Sequence, residues 1–358
     1  MGEGTGCQKS HNLESYTPLL FTDLKSNLAS LRVESPSLLP LLRGLPEVLV
    51  HSRADRTVTA YYSVYSTWTR WANSFGVCPL PAEPLTFGLY ILAKIQSGDS
   101  YAVCKSAIYG VKYIHNMNFV ADPTSNELVT GMLEAAKRLD DHAIRRKEPI
   151  TVEILRRLFY NLMGTPQSLG NVRTMCMCIL GFTGFLRFDE LSNITNGDIA
   201  VFDTHMTIFI QKAKTDQYRE GRTVYICRSG SMLCPVDITT GYMRAGGITW
   251  GSEDMGDVFL FRGLSVSTSG EKLRKVNKPI SYTRVREILL RELGALGLDS
   301  KRFGTHSLRA WGASAAANAG VPDRLFKRHG RWVSENAKDG YVKDNVARLL
   351  MVTRSLGL

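Results

Sequence analysis

The sequence has no apolar run of the roughly 20 residues that a bilayer-spanning helix needs. Its opening stretch, MGEGTGCQKSHNLE, lacks the apolar region of a secretory leader. Gly6 stands where an N-myristoylation signal has Ser or Thr. These gaps speak against a membrane role and set the expectation of a chain that works inside the cell. Cysteine is scarce and scattered, at positions 7, 78, 104, 176, 178, 227 and 234, with no Cys-x-x-Cys pair. An odd set with that spacing disfavours a disulfide framework or a zinc module and predicts buried free thiols in a reducing compartment. Internal repeats and low-complexity tracts are missing too, which argues against a solenoid.

What is present is ordinary in kind and uneven in placement. Hydrophobic residues at 44% and charged residues at 22% fit a globular chain, and 358 residues allow two or three domains. The formal net charge is +11. Residues 149–358 hold twenty-nine Lys and Arg against nineteen Asp and Glu, so nearly all of the excess lies there. A basic C-terminal part of this kind suits a polyanionic partner.

Residues 1–47 show little periodicity, and SPSLLPLLRGLPE reads as an extended or loosely ordered arm. From Asp55 the spacing turns helical: Val58, Tyr61, Tyr62, Tyr65, Trp68, Trp71 and Phe75 recur at steps of three and four. Further helices are predicted over about 84–97, 101–117 and 126–140, the last behind a Ser125 cap, making a four-helix unit at 48–140. The aromatic stripe reads as core rather than as a base-stacking platform. LDDHAIRRKEPIT is the predicted boundary, with residues 141–150 as linker and 151–358 as a second domain. There, helices are predicted over about 151–163, 170–185, 236–245, 282–296 and 306–319, with short ones near 322–328 and 335–343. Two strand-like runs, DIAVFDTHMTIFI and RTVYICRS, flank QKAKTDQYREG. The fold class expected is mostly α with a small antiparallel β-sheet.

Three polar groups interrupt this second pattern. GFTGFLRFDEL places Arg187 and Glu190 at the end of an apolar helix, where they also read as a plain surface pair. Lys212 and Lys214 share one face of a hairpin tip, a common place for solvated lysine. GTHSLRAWGASAAANAG sets His306 and Arg309 at the head of a small-sided helix that looks buried. A buried Arg is costly unless an anion meets it, so either a carboxylate waits inside or the anion comes from outside. RHGRWVSENAKDGYV then supplies Trp332 and Tyr341, nine positions apart.

Taken in order, Arg187, Lys214, His306, Arg309, Trp332 and Tyr341 resemble the catalytic set of the tyrosine recombinase (phage integrase) family. Arg187-Phe-Asp-Glu190-Leu191 is similar to its Arg-x-x-Glu-Leu signature. Trp332 stands where most members carry His and Cre recombinase carries Trp, with Gly330 ahead of it. The KTDQYREG and HGRWVSENAKDGYV stretches resemble the Crypton and DIRS-like recombinases of eukaryotic mobile elements. The resemblance spans 149–358 in element order, and the helical unit matches the family's core-binding domain in position and size. It implies a C-shaped clamp on double-stranded DNA, built from a core-binding domain and an α+β catalytic domain.

The resemblance also implies the chemistry. Tyr341 attacks a DNA phosphorus and forms a 3′-phosphotyrosyl bond, freeing a 5′-hydroxyl. Arg187 and Arg309 neutralise the transition state, Lys214 is the general acid with Lys212 as its competitor, and His306 handles the tyrosyl proton. Trp332 offers its indole N–H to a phosphate oxygen. No metal or cofactor is implied, because two guanidiniums supply the positive charge. The site-specific recombinase so described integrates or excises a mobile element, in the nucleus of a eukaryotic host or otherwise in the cytoplasm. A type IB topoisomerase uses a similar set, and a domesticated DNA-binding relative is the third possibility. The tail, with Val346, Leu349, Leu350, Val352 and Leu356 at helical spacing, can fold back on its own domain. In this family it typically inserts into a neighbour, which implies a homotetramer on DNA.

Overall fold

The computed structural model describes residues 36–141, 147–164, 168–211, 221–249, 257–268, 270–344, 346 and 349–351. The chain divides into two compact units between residues 144 and 145.

In the first unit, α1 (Leu39–Val50) is followed by α2 (Asp55–Ser74), α3 (Pro84–Gln96), α4 (Tyr101–Met117) and α5 (Glu127–Leu139). Among its described residues the unit thus has five α-helices instead of the four expected. Part of the segment read as a loose arm is helical, because Pro40 falls in the first turn of α1, where no intrahelical N–H is needed. Val50 then joins the core. Residues 1–35 lie outside the described residues. The aromatic stripe is core at Tyr65 and Trp68, while Phe75 at its end is 66% exposed. Trp68 is fully buried, its ring 5.2 Å from Phe87 and from Tyr90, and its indole N–H donates to Pro79 O at 3.0 Å. The cap of α5 is Asn126, which accepts from Leu128 N, and not Ser125. His115 is a core histidine. Its Nε2 accepts from Ala82 N and its Nδ1 donates to Val111 O at 2.8 Å, while burial lowers its pKa.

The second unit is built around α7 (Leu169–Thr183), which is buried along its whole middle from Val172 to Gly181. A helix apolar on every side needs neighbours on every side. These are α6 (Val152–Leu162), α9 (Pro235–Ala245) and α11 (His306–Asn318). The short α8 (Phe188–Ser192) follows α7, and α10 (Tyr282–Ala295), α12 (Asp323–Gly330) and α13 (Glu335–Asp339) complete the helices. The sheet is antiparallel, with β1 (Ile199–Val201), β2 (His205–Ile210) and β3 (Arg222–Cys227) in that order. Ile208 pairs with Ile199 on one side and Val224 on the other. The first strand-like run is therefore two strands, because a turn closes with Phe202 N donating to His205 O. A second hairpin, β4 (Leu264–Ser267) with β5 (Gly270–Leu273), has no counterpart in the sequence reading. Its strands are only four residues each, and although LSVS alternates, its partner GEKL does not. α13 stops at Asp339, short of the expected 343. Residues 346 and 349–351 are helical, whereas Val352 and Leu356 lie outside the described residues.

Among the described residues no helix is long and apolar enough to cross a membrane. The six described cysteines are free, and burial pushes the Cys176 and Cys178 thiols up to about 12.

Candidate active site

The site forms where α7 ends. A helix leaves its last carbonyls without internal donors. Here the chain turns away at Phe185, which adopts φ 47°, and those carbonyls face side chains from later in the sequence. His329 Nε2 lies 2.8 Å from Thr183 O, and Arg331 Nη1 donates to Gly184 O at 3.2 Å. Phe185 O accepts from Arg331 Nη2 at 2.9 Å and from Arg309 Nη1. The negative end of the helix dipole favours cations at this point.

A single carboxylate organises those cations. Glu190, 3% exposed, accepts from the backbone N–H of Arg187 at 2.9 Å and from Arg187 Nη1 at 2.6 Å. Its other contacts are Arg331 Nη2 at 2.8 Å and Arg309 Nη1 at 3.6 Å. Burial alone would raise the Glu190 pKa, but Arg331, Arg309 and Arg187 together hold it below its ordinary value. Three guanidiniums share one carboxylate, so among the described ion pairs the cluster keeps two positive charges in excess. One of the two answers to the buried arginine is thus present. A carboxylate waits inside, yet it is outnumbered.

Arg309 is fully buried on α11, and its Nη2 donates to Gly330 O at 2.7 Å. Burial, followed by the like charge of Arg187, pushes its pKa down to about 10, so it stays charged at neutral pH. The small residues of α11 let it approach α7 closely. A β-carbon at Gly312 would collide with Phe182 O, and one at Gly181 would press on Leu308 at 3.2 Å.

Two rings flank the Arg309 guanidinium, those of Trp332 and Tyr341, each 5.0 Å away and 5.7 Å from each other. Trp332 lies directly over Gly330, where any side chain would strike the indole. That contact is the physical reason for glycine two positions ahead of the ring. Lys338 ties α13 back to α12 through Asp323 at 2.5 Å, pairs with Glu335 of its own helix at 2.5 Å, and Tyr341 N donates to Lys338 O at 3.0 Å.

The structure therefore brings together Arg187, Arg309, Trp332 and Tyr341 of the sequence-derived set. His306 is exposed at the first position of α11, one turn ahead of Arg309. Lys212 and Lys214 lie outside the described residues. His329 faces Thr183 O and packs edge-on against Phe185 at 4.6 Å, which gives it a structural place. Arg331 was missed by sequence reasoning. It takes φ 55° to aim its guanidinium inward, and besides the bonds above it donates to His329 O at 2.8 Å. The available signal was an arginine wedged between Gly330 and Trp332 in a stretch destined for burial. Among the described residues no three His, Cys, Asp or Glu side chains come together as a metal-ligand set.

No protein-family model matches the chain. It is 28% identical over 298 residues to an integrase/recombinase XerD homolog of Selenomonas ruminantium, covering 82% of this chain and 83% of that protein. Among solved structures, the Tn1549 transposon integrase in complex with transposon right end DNA superposes with a TM-score of 0.55 at 14% identity. That match covers 83% of this chain and 98% of the integrase. The XerH site-specific recombinase bound to its palindromic difH substrate gives 0.53 at 13% identity, over 76% of this chain and 69% of XerH. The structural matches establish the fold, and the sequence match runs through both units. Joined to the ordered signature from Arg187 to Tyr341, they make the chain similar to tyrosine recombinases and integrases in sequence and in fold.

Proposed function

We propose that this protein is a site-specific DNA recombinase that cleaves and rejoins strands through a 3′-phosphotyrosyl intermediate, in the service of a mobile element. The observation that carries this reading is the excess charge beside Tyr341, together with two buried donors that have no protein acceptor, Arg309 Nε and Trp332 Nε1. A buried donor without an acceptor is costly, and a phosphate oxygen answers both. Arginine forks suit that ligand, since they bind phosphate bidentately and remain charged when desolvated.

In the reaction, the Tyr341 oxygen attacks phosphorus and the bond to the 5′-oxygen breaks. Arg187 and Arg309 stabilise the charge that grows on the non-bridging oxygens. His306 takes the tyrosyl proton and Lys214 gives one to the departing 5′-oxygen. The phosphotyrosine conserves the bond energy, so a 5′-hydroxyl from another strand reverses the step without a nucleotide cofactor. A nicked suicide substrate, made from the termini of the element that encodes the protein, should yield an SDS-resistant protein–DNA adduct in excess EDTA. An adduct that vanishes with chelator and returns with magnesium would count against the mechanism.

The same reading includes a homotetramer on paired sites, joined by tail exchange. Val346, Leu349, Leu350 and Met351 are exposed at 70%, 59%, 42% and 54%, an apolar set at helical spacing. The second unit also carries an apolar cavity of about 1230 Å³, lined by residues that include Leu155, Tyr160, Phe182, Tyr225, Ala315 and Leu325. A tail helix from a neighbouring protomer fits that chemistry, and passing tails head to tail closes a ring. Deleting residues 345–358 should leave DNA affinity nearly unchanged while abolishing recombination and complexes of four protomers. Light scattering of the protein–DNA mixture reads the stoichiometry, and four truncated protomers on DNA would show that the tail is not the connector.

A further inference from the structure

Tyr341, Val342 and Lys343 belong to no helix or strand, although the ring at their head rests on the most deeply buried guanidinium of the site. Something else must hold them. We infer that Ser314, assisted by Asn318, is a positioning residue that latches the tyrosine-bearing segment onto α11. The inference rests on the reading of Tyr341 as the nucleophile.

Ser314 is 1% exposed. Its Oγ accepts from Lys343 N at 2.9 Å and lies 2.8 Å from Ala310 O and 3.1 Å from Tyr341 O. A hydroxyl carries one proton and two lone pairs, so this one group meets the main chain on both sides of Val342. Inside helices, Ser more often bonds back to the carbonyl four residues earlier and stops there. Here the same oxygen also reaches a separate segment. One turn on, and on the same helix face, Asn318 Nδ2 donates to Lys343 O at 2.9 Å.

The consequence is geometric. Arg309 and Ser314 sit on one rigid helix, and that helix thereby sets both where the phosphate-binding fork lies and where the backbone of Tyr341 lies. The turn bonds from Tyr341 N to Lys338 O and from Val342 N to Asp339 O hold the segment only to α13. Without Ser314, Asn318 and the packing of Tyr341 and Val342 on Phe185, Ala313, Phe326 and Trp332 still hold the segment, but the backbone next to Tyr341 loses its hydrogen-bonded tie to the helix that carries the fork. A misplacement of about 1 Å can cost on the order of a hundredfold in rate.

Single-turnover cleavage of a saturating suicide substrate tests this. Ser314→Ala should form adduct at least tenfold more slowly, with DNA affinity within twofold of the parent and a matching elution volume. Asn318→Ala should shift the rate the same way by a smaller factor, and it reads the latch independently if Ser314→Ala fails to fold. A substrate with sulfur at the 5′-bridging position separates positioning from leaving-group chemistry. Tyr341 oxygen still bonds phosphorus, but the phosphorus–sulfur bond breaks to a thiolate that needs no proton. On it the Ser314→Ala deficit should persist, whereas Lys214→Ala should recover. Rates within threefold of the parent in both latch variants, a deficit matched by equal loss of DNA binding, or rescue by the sulfur substrate would each overturn the proposal. An adduct that survives Tyr341→Phe would instead remove the nucleophile reading on which it rests.

Discussion

Tyr341→Phe should abolish the covalent protein–DNA adduct, by more than about a thousandfold in rate, while leaving the fold and DNA affinity intact. The reason is how little the change removes. The ring keeps its places 5.0 Å from the Arg309 guanidinium and 5.7 Å from Trp332. The main chain keeps its bonds to Ser314 and Lys338. Only the hydroxyl goes, and with it the nucleophile proposed above, whose loss typically costs several orders of magnitude. Denaturing gels of suicide-substrate reactions read the adduct, and gel shifts read the affinity. An adduct of undiminished yield would move the nucleophile to another residue.

The second large effect falls on stability. Glu190→Gln should destabilise the second unit by about 3–5 kcal/mol, because it leaves buried guanidiniums without their shared counter-charge. Arg309 and Arg331 are 0% and 2% exposed, so solvent screens their charges little. Urea unfolding followed by tryptophan fluorescence measures the loss. Sulfate should raise the melting temperature of the variant more than that of the parent, since an anion bound only by the folded form stabilises it. The parent protein should echo this in acid. The Glu190 pKa is lowered in the folded state, so its contribution is complete above about pH 4.3, the ordinary Glu value, and is lost as pH falls through the lowered one. A variant as stable as the parent would show that Glu190 is not the hub of the cluster.

Much of the helical framework was legible locally. The spacing of Val58, Tyr65 and Trp68 marks one buried face, and the helix predicted over 101–117 is Tyr101–Met117. Thr151 caps its helix by accepting from Ile154 N, as its place before an apolar period implies. Such features depend on neighbours within a turn or two. The split at residues 202–204 and the β4–β5 hairpin were not readable, since strand pairing is decided between segments and β1, β4 and β5 are only three or four residues long.

The same division runs through the site. The order of Arg187, His306, Arg309, Trp332 and Tyr341 is written in the chain, and Gly330 announces a close approach without saying of what. What sequence alone left undecided was which anion meets Arg309. Three arginines, drawn from positions 187, 309 and 331, converge on Glu190 only because a helix end, a close helix pair and a left-handed Arg331 bring them there. Charge excess is a property of that assembly, since no residue counted singly shows it. The same holds for Ser314, one small residue in a run of small residues. Only tertiary packing, by laying residues 341–343 across its helix, turns its hydroxyl into a tie.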